Sequence, residues 1–92
     1  MTETIGDESY SYIPLGNHVV RAIGVCSGRP TFKYTRIEVA FILNRIANGK
    51  TVDYIIDAYD DPHLSRGAIH EAISLAAAAF ESSPLVSHPL AA

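Results

Sequence analysis

The spacing of the apolar residues changes once along the chain, and this change constrains the fold most strongly. In the first part, two short apolar runs at residues 10–15 and 18–23 flank Gly16-Asn17, a pattern that predicts a β-hairpin. Farther on, apolar residues recur every three or four positions, which indicates amphipathic helices. A chain of 92 residues has the size of one domain. We therefore expect a mainly α fold, in which a small N-terminal hairpin arm (residues 10–34) precedes a three-helix core (residues 35–82).

Both ends of the chain lack such periodicity. Residues 1–9 are polar and acidic, and we expect them to be flexible. Residues 83–92 form a tail in which Pro84 and Pro89 prevent the helix from continuing. Pro14 lies in the first predicted strand of the arm, and proline lacks the amide hydrogen that a central strand needs. We expect the strand that contains it to lie at an edge.

Capping signals predict the bounds of three helices. Thr35-Arg36-Ile37-Glu38 has the pattern of a capping box at the start of the first helix, and Asn48-Gly49 has the pattern of its C-cap. Thr51 and Ser65 are the predicted N-caps of the second and third helices. The predicted buried face of the third helix is Ile69, Ala72, Ile73, Ala76 and Phe80. The last two helices have the proportions of a helix-turn-helix.

Charge is distributed unevenly along the chain. Residues 21–50 carry six Lys or Arg against one Glu, and residues 51–92 carry one Arg against six Asp or Glu, within a formal net charge of −3. A positive patch raises the local concentration of anionic partners, and a basic arm can lie along a nucleic-acid groove. The candidate nucleic-acid-binding residues are Arg21, Arg29, Lys33, Arg36 and Arg66. The alternative is that the two oppositely charged parts attract each other within the fold.

The third helix is a weak candidate for reading DNA bases. The predicted outward positions of its first two turns are Arg66, Gly67, His70 and Glu71. Only Arg66 has the long cationic side chain that is typical of base recognition, and Glu71 repels phosphate. Any anion recognition is therefore expected to depend on the arm.

Several stretches of the chain carry a family resemblance. They are Cys26-Ser27-Gly28-Arg29-Pro30, Phe32-Lys33-Tyr34-Thr35-Arg36-Ile37, Asn48-Gly49-Lys50-Thr51 and Ile55-Ile56-Asp57-Ala58-Tyr59. Through them, residues 25–79 resemble the bacterial family catalogued as domain of unknown function 433. The chain departs from the family pattern at Tyr34, where a glycine is usual, and at Asp60-Asp61-Pro62-His63, which is longer than the usual Tyr-Pro connection.

The resemblance implies a homeodomain-like helix-turn-helix fold and a likeness to VapB-type antitoxins, which are often encoded beside a PIN-like nuclease toxin. It therefore implies an antitoxin-like protein that binds a cognate nuclease-type toxin and, as a dimer, its own promoter DNA. The alanine run at residues 76–79 would let another helix approach closely. The candidate partner-binding residues are acidic or lie in the apolar tail: Asp53, Asp57, Asp60, Asp61, Leu85, Val86 and Leu90. The alternative is a protein–protein adaptor or small structural subunit with no nucleic-acid role.

The sequence offers weak signals for catalysis or metal binding. A lone Cys26, even with His18 as a base, is more typical of a packing residue than of a nucleophile. Asp60, Asp61 and His63 stand in one turn without a second ligand cluster. We expect no enzymatic activity, no metal and no cofactor. No apolar run approaches the ~20 residues of a membrane helix, and no basic segment precedes an apolar one, so we expect a cytoplasmic protein.

Overall fold

The computed structural model describes residues 1–6 and 8–82. Its four strands are β1 (Thr2–Ile5), β2 (Glu8–Pro14), β3 (Val19–Ala22) and β4 (Thr31–Phe32), and its three helices are α1 (Val39–Ala47), α2 (Val52–Tyr59) and α3 (Arg66–Ser82). The strands form one antiparallel sheet in the order β1-β2-β3-β4. The three predicted helices are therefore confirmed, but the fold is mixed α/β rather than mainly α.

The sheet extends the predicted hairpin on both sides. The hairpin itself is confirmed, since β2 pairs with β3 and Tyr12 stands opposite Ala22. The segment expected to be flexible contains β1, which pairs with β2. The sequence of β1, Thr-Glu-Thr-Ile, has one apolar residue and therefore gives no alternating signal. The two-residue strand β4 completes the sheet beside β3.

Pro14 does not place its strand at an edge, because β2 lies between β1 and β3. The amide of Tyr12 donates to the carbonyl of Met1 on the β1 side, at 2.7 Å. Amides alternate in direction along a strand, so the nitrogen of Pro14 faces the same side. Strand β1 begins at Thr2, which pairs with Ser11, so the nitrogen of Pro14 lies past the paired part of β1 and needs no partner there.

The core consists of two clusters of buried side chains. The larger cluster joins the helices to the sheet and contains Val19, Phe32, Val39, Ile42, Ile55, Leu64, Ala68, Ile69 and Ala72. The smaller one contains Tyr12, Val20 and Ala22. Val19 and Val20 belong to different clusters because successive residues of a strand point to opposite faces of the sheet. Strand β3 is therefore buried on both sides.

The predicted capping box of α1 is wrong. The helix begins at Val39, and the side chain of its N-cap residue Glu38 makes no capping hydrogen bond. The Thr35 hydroxyl instead accepts from the amide of Ile37 at 3.0 Å and donates to the carbonyl of Phe32 at 2.7 Å. Thr35 therefore stabilises the turn that precedes α1.

The other predicted caps are confirmed. The Thr51 hydroxyl accepts from the amide of Tyr54, and the Ser65 hydroxyl accepts from the amide of Ala68, both at 3.1 Å. Gly49, with φ of +93°, follows the end of α1. The amides of Gly49 and Lys50 donate to the carbonyls of Ile46 and Arg45, both at 3.0 Å, which is the hydrogen-bond pattern of a Schellman motif.

Only the first half of α3 packs into the core. Ile69 and Ala72 are buried as predicted, but Ile73, Ala76 and Phe80 are exposed, so that part of the predicted buried face is wrong. The helix has 17 residues and is about 25 Å long. Leu75, near the middle of the helix, still packs against the larger core cluster, whereas residues 76–82 are exposed.

Glu71 joins α3 to the turn between β2 and β3. Its carboxylate accepts hydrogen bonds from the amides of Asn17 at 2.8 Å and His18 at 2.6 Å. Gly16 permits this approach, because a Cβ there would lie 2.8 Å from the Glu71 Cδ. Glu71 therefore faces the sheet, and its predicted outward position is wrong.

Candidate functional site

Three of the five candidate nucleic-acid-binding cations have a carboxylate partner within the chain. Arg29 pairs with Glu38 and Arg66 with Asp53, while the Lys33 Nζ lies 3.4 Å from the Glu3 Oε2. The hydrogen bond to Glu38 raises the pKa of Arg29 above its ordinary value. The pairs of Arg29 and Lys33 reduce the positive charge that the arm presents to an anion, and the pair of Arg66 does the same at the start of α3. No ion pair in the described part of the chain joins residues 21–50 to residues 51–92.

The remaining two candidate cations differ from these three. The Arg21 Nη1 donates to the carbonyl of Gly28 at 3.2 Å, and Arg21 forms no ion pair within the part of the chain that the structure describes. Arg36 is exposed, and it has no carboxylate partner among residues 1–6 and 8–82. Among the five candidates, Arg21 on the arm and Arg36 just after it are therefore the two without a carboxylate partner in the described residues.

The acidic candidates for partner binding also divide into two kinds. Asp53 is paired with Arg66, and the Asp61 Oδ1 accepts from the amide of His63 at 2.8 Å. Asp57 and Asp60 are exposed, and within the described residues neither forms an ion pair. The tail candidates Leu85, Val86 and Leu90 lie outside the described residues.

An aromatic cluster links the sheet to the turn before α3. The ring of Tyr34 lies between those of Tyr10 and His63, with centroid distances of 5.3 and 5.2 Å. The Tyr34 hydroxyl donates to the Glu3 Oε1 at 2.5 Å, and the Tyr12 hydroxyl donates to the other oxygen of the same carboxylate. Hydrogen bonds from Tyr12 and then Tyr34 lower the pKa of Glu3. Glu3 thereby ties β1 to the rest of the sheet.

An open cleft of about 670 Å³ lies beside this cluster. Its wall includes Tyr10, Tyr34, His63 and the free cation Arg36, but also Glu3 and Glu8. Carboxylates and a cation in the same wall give the cleft no single sign of charge. It is therefore a weak candidate for binding an anion.

The exposed second half of α3, here termed the α3 extension (residues 73–82), is the most unusual surface of the molecule. Ile73 is 39% exposed and Phe80 is 69% exposed. The four alanines between them are also exposed, and no charged residue occurs between Glu71 and Glu81. Leu75 packs against the core, but the other residues of the α3 extension are exposed, and an exposed apolar surface of this kind is typical of an interaction site.

The side chains considered for chemistry do not assemble into a reactive group. The Cys26 Sγ lies 3.4 Å from the carbonyl of Arg36 and is half-buried. The His63 Nδ1 lies 3.3 Å from the Asp61 Oδ1. Residues 1–6 and 8–82 contain no group of three His, Cys, Asp or Glu side chains that could hold a metal ion. No helix in this part of the chain has the length and apolarity needed to cross a membrane.

Two structurally important carboxylates are missing from the sequence-based set. The partners of Glu3 and Glu71 are distant in sequence, up to 31 positions for Glu3 and up to 54 for Glu71. The aromatic cluster has one local signal, since Tyr10 and Tyr12 are two positions apart and share a face of β2.

Comparison with known proteins gives one match. A family model described as "Protein of unknown function (DUF433)" matches residues 19–76, which run from β3 into α3. No curated protein and no solved structure shows a significant match to the chain. Strands β1 and β2 and most of the α3 extension lie outside the matched region.

Proposed function

Because this chain belongs to the DUF433 family of proteins of unknown function, we propose that it is an antitoxin-like protein that binds a nuclease-type toxin through its α3 extension. The observation that carries the proposal is the exposure of Ile73 and Phe80 on a helix that projects beyond the core. The proposed activity is binding rather than catalysis.

The α3 extension has the properties of a helix that docks into an apolar groove. Fully burying an Ile or Phe side chain contributes about 1.5–3 kcal/mol, so covering the exposed parts of Ile73 and Phe80 contributes about 2–3 kcal/mol. Phe80 is the natural anchor, because aromatic residues are frequent among those that dominate interface energies. The small alanines beside it allow the backbone of a partner to approach closely.

Electrostatic steering is assigned to the free acidic residues. Asp57 and Asp60 are exposed, whereas Asp53 and Asp61 already have contacts within the chain. A nuclease cleft is basic or holds metal ions, so exposed carboxylates would accelerate encounter with it. Promoter binding and a homeodomain-like arrangement of α1–α3 are further parts of the proposal, supported by the family resemblance and, for DNA, by the free charges of Arg21 and Arg36.

Co-expression with the product of the neighbouring reading frame tests the proposal. We expect a stable complex in which RNA cleavage by that product is inhibited, and we expect Phe80→Ser to weaken the complex by tenfold or more, about 1.4 kcal/mol. Ile13→Ser is the matched control, because Ile13 is 58% exposed on β2, away from α3. Equal affinities of wild type and F80S, or a neighbouring product without nuclease activity, would contradict the proposal.

A protein–protein adaptor without a nucleic-acid role is the second candidate. The observation that favours it is the pairing of Arg29, Lys33 and Arg66 with carboxylates. An adaptor would use the same α3 extension, so F80S would again weaken the complex. The two functions differ in the cleavage assay, because an adaptor leaves nuclease activity unchanged.

A further inference from the structure

A second cationic surface lies where α1 ends and α2 begins. Phe41, Asn44, Arg45, Asn48 and Lys50 line a groove of about 310 Å³. Tyr54 extends it, since the Lys50 Nζ lies 4.9 Å from the centroid of its ring. We propose that this α1–α2 groove binds single-stranded nucleic acid, with Arg45 and Lys50 contacting phosphates and with Phe41 and Tyr54 stacking on bases.

The cations of the groove are free, unlike most of those on the arm. Arg45 and Lys50 are exposed, and neither forms an ion pair within residues 1–6 and 8–82. None of the residues that line the groove is acidic. Phosphate contacts supply most of the sequence-independent affinity for nucleic acid. The groove therefore offers an anionic partner free positive charge, which the paired residues Arg29, Lys33 and Arg66 do not offer.

The two aromatic rings point outward, although their helices have buried faces. Phe41 is 48% exposed and Tyr54 is 52% exposed, while the adjacent residues Ile42 and Ile55 are almost completely buried. The Arg45 guanidinium lies 5.0 Å from the Phe41 ring centroid. Each ring thus has a cation over one face, so that a nucleotide whose phosphate contacts the cation has its base within reach of the other face of the ring.

The end of α1 is arranged so that its negative pole is covered. The amides of Asn48, Gly49 and Lys50 bond the last carbonyls of the helix, and the Asn48 Nδ2 donates to the carbonyl of Asn44 at 2.8 Å. Free carbonyls at this end would repel phosphates. The groove therefore presents cations, side-chain amides and rings, and the carbonyls of Asn44, Arg45 and Ile46 behind it are already paired.

An acidic protein segment would also satisfy the two cations. The charges of an acidic segment give it no group that contacts the two exposed aromatic rings, however. Unpaired bases stack on aromatic side chains regardless of sequence. The observations therefore favour single-stranded nucleic acid, and an acidic peptide becomes an outcome of the test. Cations at a helix C-terminus also offset the helix dipole, but that role requires neither Phe41 nor Tyr54.

Fluorescence anisotropy of the full chain with labelled oligothymidine tests the proposal. We expect binding that weakens with salt, with a slope of log affinity against log salt of about −1.4 for two phosphate contacts. The double variant R45Q/K50Q should lose about tenfold or more, because both phosphate contacts are removed. The matched control R29Q/K33Q removes the same formal charge from two residues that already have carboxylate partners, and it should bind as wild type.

The stacking component has its own variant. Tyr54→Leu keeps an apolar side chain on α2 but removes the aromatic face, and we expect about fivefold weaker binding or more. Far-ultraviolet circular dichroism of each variant establishes that the helices are retained. Absence of oligothymidine binding, an equal loss in R29Q/K33Q, unchanged binding by Y54L, tighter binding of a duplex, or equal binding of an oligoglutamate peptide would each overturn the proposal. Toxin binding through the α3 extension is measured separately with F80S.

Discussion

Replacing Gly16 with alanine should detach α3 from the β2–β3 turn, even though the new methyl group meets only a flexible side chain. A Cβ at position 16 lies 2.8 Å from the Glu71 Cδ and 2.9 Å from its Oε2. The carboxylate is at the end of its side chain and is able to move away. Moving away breaks its hydrogen bonds with the amides of Asn17 and His18. The cost is therefore that of two lost hydrogen bonds rather than of a steric clash.

The magnitude follows from the exposure of these hydrogen bonds. A hydrogen bond to a charged group contributes about 1.5–3 kcal/mol, but water replaces part of it at an exposed turn. We expect Gly16→Ala to lower the free energy of unfolding by about 1–2 kcal/mol. Glu71→Ala removes the same two hydrogen bonds and should cost about as much. The double variant should then also cost about 1–2 kcal/mol, because either substitution alone already removes both hydrogen bonds.

Urea and thermal unfolding of the four proteins of this cycle measure the coupling. In a domain of this size, 1 kcal/mol shifts the Tm by about 4–8 °C. Gly67→Ala is the control, because a Cβ there meets only the Ser65 Oγ at 3.9 Å and alanine favours the helix. Costs that add in the double variant would show that Gly16 and Glu71 act independently, and the reasoning would be refuted.

Two further predictions concern Thr31 and Glu3. Thr31 is completely buried, and its hydroxyl has no hydrogen-bond partner among the residues that the structure describes. Thr31→Val should therefore stabilise the protein by about 1 kcal/mol. A lower urea midpoint would contradict this. Tyr12 and Tyr34 lower the pKa of Glu3. The contribution of ionised Glu3 to stability is therefore complete above the ordinary glutamate pKa, and it is lost as the pH falls through the lowered value. Amide exchange of β1 during acid titration should show that loss in wild type but not in Glu3→Gln, and identical profiles would argue against the role of Glu3.

The sequence predicts the features whose causes are local. Thr51, Ser65 and Gly49 act through hydrogen bonds that span at most five residues, and each cap is where the pattern indicates. The capping box fails because Glu38 has a competing partner in Arg29, nine positions away. Local patterns therefore predict a helix end only where no distant group competes for the capping side chain.

The extent of burial is not a local property. Ile69 and Ile73 lie on the same side of α3, yet one is buried and the other exposed. Periodicity identifies the apolar face of a helix, but burial depends on what packs opposite to it. The same reasoning applies to charge: the sequence locates cations in residues 21–50, whereas the fold decides which of them are neutralised.

The turn at Tyr34 makes four positions of this chain interdependent. Its φ of +66° is unfavourable for a bulky residue, by about 1–3 kcal/mol. Contacts with Tyr10, His63 and Glu3 offset that strain. A substitution at any one of these three neighbours therefore removes part of that compensation. A glycine at position 34 would relieve the strain itself, and the stability of this turn would then no longer depend on Tyr10, His63 and Glu3.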